Sequence, residues 1–474
     1  MKLLNARVLD LATGGLADPR DLQLAGNPEV DEEVVDAEGR IAIPGLWDQH
    51  VHMDLWALHS SRFDVSGATS AAHCARLAGQ ALAGAPRDGQ LRVGRGFRDT
   101  AWPDSPTAAL LDEHTVGHAV VLLSSDLHAV WLNTAALLRL GLDPGRGHRV
   151  EAEAFAVEEA VGHGEPARTE QWVADCVAAA NALGVVGITD MEQAWNPGRW
   201  TERVAAGMDA LRVRTAVYPA DLKRALDEGL RTGDVLDERG LVRMGPLKVI
   251  GDGSLTARTA LCSHPYPDGR GHGRANVGAD ELAGLMRLAR DGGLECAIHA
   301  IGDRANTVTL DAFEATGARG SIEHAQLVTA ADVARMARLG VVASVQPSHL
   351  SDDVGAMDRL WGERAARAFP LADMLAAGVQ LALGSDAPVC PVQPWQAMQD
   401  AVTRNAQGRA WHPEQRITLS QAMLASTNRV ARVADGHPDV VLLECNPFEL
   451  AADRLAGVRA WLTVVDGRVV HRSE

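Results

Sequence analysis

A unit of one predicted helix followed by one predicted strand recurs along this chain and constrains its fold more than any other feature. In 279–293, for example, apolar residues recur at helical spacing, and 294–302 follows as a near-continuous apolar run. Most of these helices run up to a glycine, which suits the left-handed residue that ends a helix. These glycines are Gly184, Gly293, Gly320, Gly340 and Gly378. Continuous apolar strands are typical of parallel sheets that are covered on both faces.

Eight such strands can be counted. They are 43–52, 185–190, 213–219, 244–252, 294–302, 321–326, 341–347 and 379–388. Strands that alternate with helices form right-handed βαβ units, and eight of these units favour a closed barrel. The alternative is an open doubly wound sheet, but no G-x-G-x-x-G opens a helix after the first strand. The sequence therefore predicts an α/β protein with a (β/α)₈ TIM-type barrel.

Two regions fall outside the eight strands. Residues 1–43 and 430–474 resemble short strands with turns, so we expect the two termini to form one composite β-sandwich. Residues 62–165 hold their own strands and helices and are too long for one crossover. We expect them to form a subdomain inserted after the first barrel strand, placed to act as a lid. The barrel itself then consists of 44–61 with 166–429.

The composition and the hydropathy of the chain limit the classes of partner that the protein is expected to bind. The formal net charge of −17 disfavours a nucleic acid. No apolar run reaches the roughly 20 residues that cross a bilayer, and the N-terminus lacks a signal peptide, so we expect a cytoplasmic protein with no membrane partner. The six cysteines stand singly, without a C-x-x-C pair. A small molecule is the expected partner, and a homodimer stays open.

Polar residues at the carboxyl ends of different strands carry the chemistry. They are His50, His52, Lys248, His299, His324 and Asp386. Each one alone has an ordinary structural explanation; Lys248, for example, could form an ion pair with Asp386 or Asp252. In a barrel, however, these strand ends meet at one face, where active sites lie. Imidazoles with a carboxylate suit a borderline-soft cation. The joint pattern predicts one or two divalent metal ions, with zinc first.

The chain also resembles a known family. PGLWDQHVH matches the P-G-x-x-D-x-H-x-H signature of the amidohydrolase superfamily. LKVIGDGSLTARTA, AIHAIGDRAN, LALGSDAPV and SSDLHAVWLNTAAL are similar to phrases of the YtcJ-like, or family 3, amidohydrolases, which include N-substituted formamide deformylases. The resemblance covers nearly the whole chain. Thr256 stands where the family has glycine, and EAEAFAVEEAV replaces a Gly-Glu…Gly stretch.

This resemblance implies specific roles. His50 and His52 would bind one metal ion with Asp386. His299 and His324 would bind a second, or one of them would complete a single site. Lys248 matches a position that carries a bridging carbamate in many members. The implied reaction is hydrolysis of an amide-type C–N bond, with Asp386 carrying the proton. Candidates for stabilising the oxyanion are His128 and Arg258. Candidates for substrate contacts are Asp126, Trp131, Asn133, Asp252, Gln346 and His349.

Three other functions stay open at this point. A nucleobase-type deaminase would carry a glutamate three residues after the strand-5 histidine, where this chain has Gly302. A lactonase or esterase could use the same metal centre, because an activated water attacks either carbonyl. A non-catalytic binding protein with the same fold would have lost ligands, whereas all the expected ones are present. A serine hydrolase is disfavoured, since no G-x-S-x-G elbow occurs.

Overall fold

The computed structural model describes residues 1–26, 33–99, 102–124, 129–143, 145–150, 152–162, 166–267, 269 and 271–473. Its strands are β1 (Lys2–Val8), β2 (Arg20–Gln23), β3 (Val34–Asp36), β4 (Ile41–Pro44), β5 (Leu46–Val51), β6 (Phe63–Asp64), β7 (Leu91–Phe97), β8 (Ala119–Ser124), β9 (Ala129–Leu132), β10 (His148–Val150), β11 (Val185–Asp190), β12 (Arg212–Val217), β13 (Val242–Ile250), β14 (Cys296–Ala300), β15 (Gly320–His324), β16 (Val342–Val345), β17 (Leu381–Leu383), β18 (Asn405–Ala406), β19 (Arg409–Ala410), β20 (Val440–Leu443), β21 (Ala460–Val465) and β22 (Arg468–Arg472).

The helices connect these strands. They are α1 (Met53–Ser60), α2 (Ala71–Ala81), α3 (Ala108–His114), α4 (Thr134–Arg139), α5 (Ala152–Gly162), α6 (Pro166–Ala182), α7 (Asn196–Ala205), α8 (Pro219–Asp227), α9 (Ala279–Asp291), α10 (Asp303–Thr316), α11 (Ala330–Leu339), α12 (His349–Leu360), α13 (Leu371–Ala376), α14 (Pro394–Thr403) and α15 (Leu419–Ala425). None of the helices in the described ranges is both long enough and apolar enough to span a membrane.

The predicted barrel is confirmed. Eight strands pair in parallel in the order β5, β11, β12, β13, β14, β15, β16, β17. The ring closes where Val51 bridges in parallel to Ala387, just beyond β17. The eighth strand is shorter than its apolar run predicted, so Asp386 lies in the loop after the strand. The carboxyl ends of all eight strands nevertheless share one face of the barrel.

Local sequence explains the ends of the helices between these strands. At α11, the Thr329 hydroxyl accepts a hydrogen bond from the backbone N–H of Asp332, and Gly340 ends the helix in the left-handed region with φ 67°. At α10 the prediction was wrong by three residues: Gly317 ends the helix with φ 67°, whereas Gly320 already begins β15. Each barrel strand therefore starts soon after the preceding helix stops.

A second sheet joins the two ends of the chain, as predicted. Its strands run in the order β2, β1, β4, β20, β21, β22, with β3 paired to β1. β4 pairs in parallel with β1 and antiparallel with β20, so N-terminal and C-terminal strands share one hydrogen-bonded layer. Its buried core includes Leu3, Leu22, Leu442 and Leu462.

By its internal contacts the chain divides into two compact units. Unit 1 is Met1–Met53 with Val177–Glu474 and contains the barrel and the sheet of the two termini. Unit 2 is Asp54–Cys176, and the predicted insertion 62–165 lies inside it. Unit 2 has its own five-stranded sheet in the order β10, β9, β8, β7, β6 and its own apolar core.

Candidate metal centre

Two histidines at the end of β5 face one carboxylate. His50 Nε2 and His52 Nε2 each lie 3.4 Å from Asp386 Oδ1. The two imidazoles are two residues apart in extended chain, so they point to the same side. A tetrahedral zinc ion with bonds of about 2.0–2.2 Å separates its donor atoms by about 3.3–3.6 Å. The three donor atoms therefore fit a metal ion.

Asp48 and Gly384 hold this group together. The Asp48 Oδ1 atom accepts hydrogen bonds from the backbone N–H groups of His50 (3.1 Å) and Ser385 (2.9 Å). The Asp386 N–H donates to the His50 carbonyl at 2.7 Å. A Cβ on Gly384 would lie 2.8 Å from the His50 nitrogen, so only glycine allows this approach. These contacts fix Asp386 in the left-handed region, with φ 59°.

Glu323 orients the His50 ring by a hydrogen bond at Nδ1, the ring nitrogen that does not face Asp386. The His50 Nδ1–H donates to Glu323 Oε2 at 2.6 Å, and both side chains are 1% exposed. Metal-binding histidines usually donate their second ring N–H to a carboxylate, which frees the other nitrogen as a ligand. Burial alone would raise the pKa of Glu323, but the hydrogen bond and charge of His50 and the charge of Lys248 lower it to about 2. Glu323 is therefore a carboxylate at neutral pH.

Lys248 lies next to the same imidazole. It is 2% exposed, and its Nζ atom is 3.3 Å from His50 Nε2. Neither of the ion pairs considered from the sequence, with Asp386 or with Asp252, is formed within 4.0 Å. Burial lowers the pKa of Lys248 from its ordinary value, although the charges of Glu323 and Asp386 oppose this. A buried amine beside the ligand group is therefore the observed arrangement.

His299 and His324 lie on the next two strands. Their rings meet edge to face with centroids 4.4 Å apart. The His324 Nδ1 atom is buried without a hydrogen-bond partner. Burial, together with the charge of Lys248, lowers the pKa of His299 to about 3. Burial, together with the charge of His299, lowers the pKa of His324 well below its ordinary value. Both rings are therefore neutral and can bind a metal ion.

Asp252 supports the neighbouring loops. Its two carboxylate oxygens accept from the backbone N–H groups of Ile301, Gly302 and Leu261 at 2.9–3.0 Å. Its Oδ1 atom also lies 3.4 Å from His299 Nε2. Burial raises the pKa of Asp252 to about 7. These bonds use both oxygens for the fold, and a role of Asp252 in substrate binding stays a prediction.

The loop after β16 brings two further predicted residues to the centre. The His349 Nε2 atom lies 3.8 Å from Asp386 Oδ2, and the His349 ring stacks on His324 with centroids 6.1 Å apart. Gln346 is buried, and its Oε1 atom has no hydrogen-bond partner. Donor atoms of His324, His349 and Asp386 all lie within 4.8 Å of one another. The structure thus offers a second group that fits a metal ion.

The remaining predicted residues lie elsewhere or outside the described ranges. Asp126 and His128 are outside the described residues. Arg258 lies in the loop after β13, half-buried, with φ 57°.

Two predicted residues belong to the core of unit 2. The Trp131 ring is fully buried and its N–H donates to the Thr107 carbonyl. The Asn133 side chain accepts from the backbone N–H of Val120 and of Ala136, the second of which caps α4. These contacts stabilise the fold of the unit, so contact of either residue with a substrate stays a prediction.

Sequence reasoning missed Asp48 and Glu323. Asp48 stands in the PGLWDQHVH phrase, and Glu323 directly precedes His324. Each is an acidic residue inside an apolar, buried strand, which is the signal that could have found them, because a buried carboxylate needs a partner.

A closed parallel barrel with imidazoles around a carboxylate at its carboxyl-end face defines the class: a metal-binding (β/α)₈ barrel. The model of an amidohydrolase family matches residues 33–471, so the chain belongs to this amidohydrolase family.

Known proteins agree with this assignment. The protein LONG AFTER FAR-RED 3 of Arabidopsis thaliana is 29% identical over 99% of this chain and 88% of its own length. The N-substituted formamide deformylase of Arthrobacter pascens is 25% identical over 94% of this chain and 91% of its own length. An uncharacterized metal-dependent hydrolase of Pyrococcus horikoshii has the same fold, with a TM-score of 0.79, 24% identity, and coverage of 95% of this chain and 98% of its own.

Proposed function

We propose that the protein uses one or two divalent metal ions, zinc in the first place, to hydrolyse an amide-type, non-peptide C–N bond in a small molecule. The observation that carries this proposal is the spacing of His50, His52 and Asp386, which matches the edge of a zinc coordination sphere. A bound ion of this kind lowers the pKa of a water molecule and polarises a carbonyl. The residues around it must hold the ion and move the proton.

Asp386 is the candidate for the proton transfer. Burial alone would raise the pKa of Asp386, but its electrostatic interaction with His50, the hydrogen bond of His52 and the interactions with His324 and His349 hold it well below its usual range. Asp386 is therefore ionised at neutral pH and can accept a proton from water. The same carboxyl group can then give the proton to the leaving nitrogen, as general base and then general acid.

Lys248 is the candidate for a carbamate. A protonated ammonium has no lone pair, but the buried Lys248 amine has a lowered pKa and lies next to His50. Its nitrogen can form a bond to the carbon of CO₂ and lose one proton, which gives an anionic carbamate with two oxygen donors. This group would supply a negative charge, which imidazole ligands lack.

The N-substituted formamide deformylase supports an amide-type substrate, since that relative is similar to this chain over nearly its full length. The test combines metal analysis of the purified protein with a turnover screen. The screen covers N-formyl and N-acyl amines, cyclic ureides, lactones and aminopurines. Metal-dependent release of an amine from one of the amides is expected. Turnover of lactones alone would favour an esterase, and ammonia release from an aminopurine alone would favour a deaminase.

Replacing Asp386 with Ala tests its role in this reaction. We expect kcat to fall at least about 100-fold, the lower end of the effect of general acid–base groups. The matched control is Asp453→Ala, at an exposed position, which should retain the kcat of the wild type. Metal content is measured for both variants. A near-normal kcat in Asp386→Ala, with metal still bound, would exclude the proposed role.

A further inference from the structure

His349 is a buried histidine at the start of a helix beside the candidate metal centre. It is the first residue of α12, directly after the loop that leaves β16, and it is only 8% exposed. Its ring stacks nearly parallel to that of His324, at an interplanar angle of 22°. The loop therefore delivers a further imidazole to the region where His299 and His324 already lie.

The Nε2 atom of His349 has no hydrogen-bond partner. A neutral imidazole has one N–H and one lone pair, and leaving a buried polar group unpaired costs about 1–3 kcal/mol. If Nε2 carried a proton, it could approach the Asp386 carboxylate to about 2.7–3.2 Å. The observed distance to Oδ2 is 3.8 Å, which is too long for that bond. A lone pair on Nε2 lacks a partner among the described side chains.

Asp386 divides its two oxygens between two groups of imidazoles. Oδ1 faces His50 and His52, both at 3.4 Å, whereas Oδ2 faces His349.

We propose that His349 is a ligand of a second metal ion, together with His324, on the Oδ2 side of Asp386. The proposal rests on the proposed function, since it assumes that the centre holds metal. It adds a residue from the loop after the seventh barrel strand to the ligands expected from the sequence.

The test is a metal titration, read without any substrate. The metal-free protein, prepared with a chelator, is titrated with Co²⁺, and bound ions are counted by elemental analysis and followed by visible absorption. The wild type is expected to bind two ions per chain. His349→Ala should keep the first ion and bind the second at least about 100-fold more weakly, because even the partners of metal ligands change affinity 10–100-fold.

Two further variants make the titration decisive. His349→Glu supplies an oxygen donor and should restore a second ion with a shifted absorption spectrum. His471→Ala removes a histidine on β22, far along the chain from the barrel strands, and should bind two ions as the wild type does. If His349→Ala does not fold by circular dichroism, the His349→Glu titration decides.

Each result bears on the proposal. A second ion bound by His349→Ala with unchanged affinity would overturn it. The proposal would also be overturned if the wild type bound only one ion and His349→Ala bound that ion with the same affinity. That result would leave the proposed function intact. A wild type that binds no divalent ion would refute the proposed function itself.

Discussion

Replacing Glu323 with Gln should weaken metal binding while leaving the fold intact. Glu323 lies behind His50, and its only described side-chain partners are His50 and Ser321. The amide of Gln has the same shape and can still accept the His50 Nδ1–H. What is lost is the negative charge at 2.6 Å, which makes the opposite nitrogen of His50 a stronger ligand.

The size of the effect follows from this position. Loss of such a supporting partner costs about 10–100-fold in metal affinity, which corresponds to about 1.4–2.7 kcal/mol. The effect should lie near the upper end, because both side chains are almost fully buried and water cannot replace the carboxylate. The pKa of Glu323 is about 2, so the charge is present throughout the neutral range and the loss should not depend on pH there.

The assay is competition for Zn²⁺ against a chelator of known affinity at neutral pH. Glu314→Gln is the matched control, because it removes an exposed glutamate that pairs with Arg335 and Arg338 on the barrel surface. Exposed pairs contribute about 0–1 kcal/mol, and the metal affinity of this control should equal that of the wild type. An unchanged Zn²⁺ affinity in Glu323→Gln would refute the reasoning that His50 is a ligand supported by this carboxylate.

Two further predictions concern packing and pH. Gly384→Ala should lower the free energy of unfolding by about 1–3 kcal/mol and weaken metal binding, because the new Cβ would lie 2.8 Å from the His50 nitrogen. The control is Gly284→Ala in α9, whose new Cβ meets nothing within 4 Å and which should be neutral or stabilising. Equal melting temperatures and metal affinities of the two variants would contradict this prediction. Burial raises the pKa of Asp400 to about 6. The contribution of this carboxyl group to stability is therefore fully present at pH values below the ordinary pKa of aspartate, and it is lost as the pH rises through about 6. Urea denaturation should show that the free energy of unfolding of the wild type, relative to that of Asp400→Asn, falls by up to about 3 kcal/mol between a pH of about 4 and about 7. A difference that stays constant over this range would show that the pKa of Asp400 is not raised.

The barrel could be predicted because its signal is local and repeated. Continuous apolar strands after amphipathic helices specify a parallel sheet whatever the distant residues do. The strand 185–190 was predicted at its observed bounds. The ends of elements were less accurate where a single residue decides: Gly317 rather than Gly320 stops α10, since either glycine can adopt the left-handed conformation.

The site was predicted in part. The histidines and Asp386 could be named because strand ends of a barrel must share one face. In the structure the Nε2 atoms of His50 and His52 each lie 3.4 Å from Asp386 Oδ1, and no feature of the sequence predicts that distance. Glu323 was missed because its partner, His50, is 273 residues away along the chain.

The sequence by itself determined the class of fold, which segments form the barrel strands, and which residue types reach the carboxyl-end face, because these depend on short-range periodicity. Only the tertiary structure decided which donor atoms meet. Asp48 ties the β5 segment to the loop that carries Asp386, and the loop before α12 turns His349 toward the second oxygen of that carboxylate. Such distances result from packing between segments hundreds of residues apart, and a change of one ångström separates a ligand from a structural histidine.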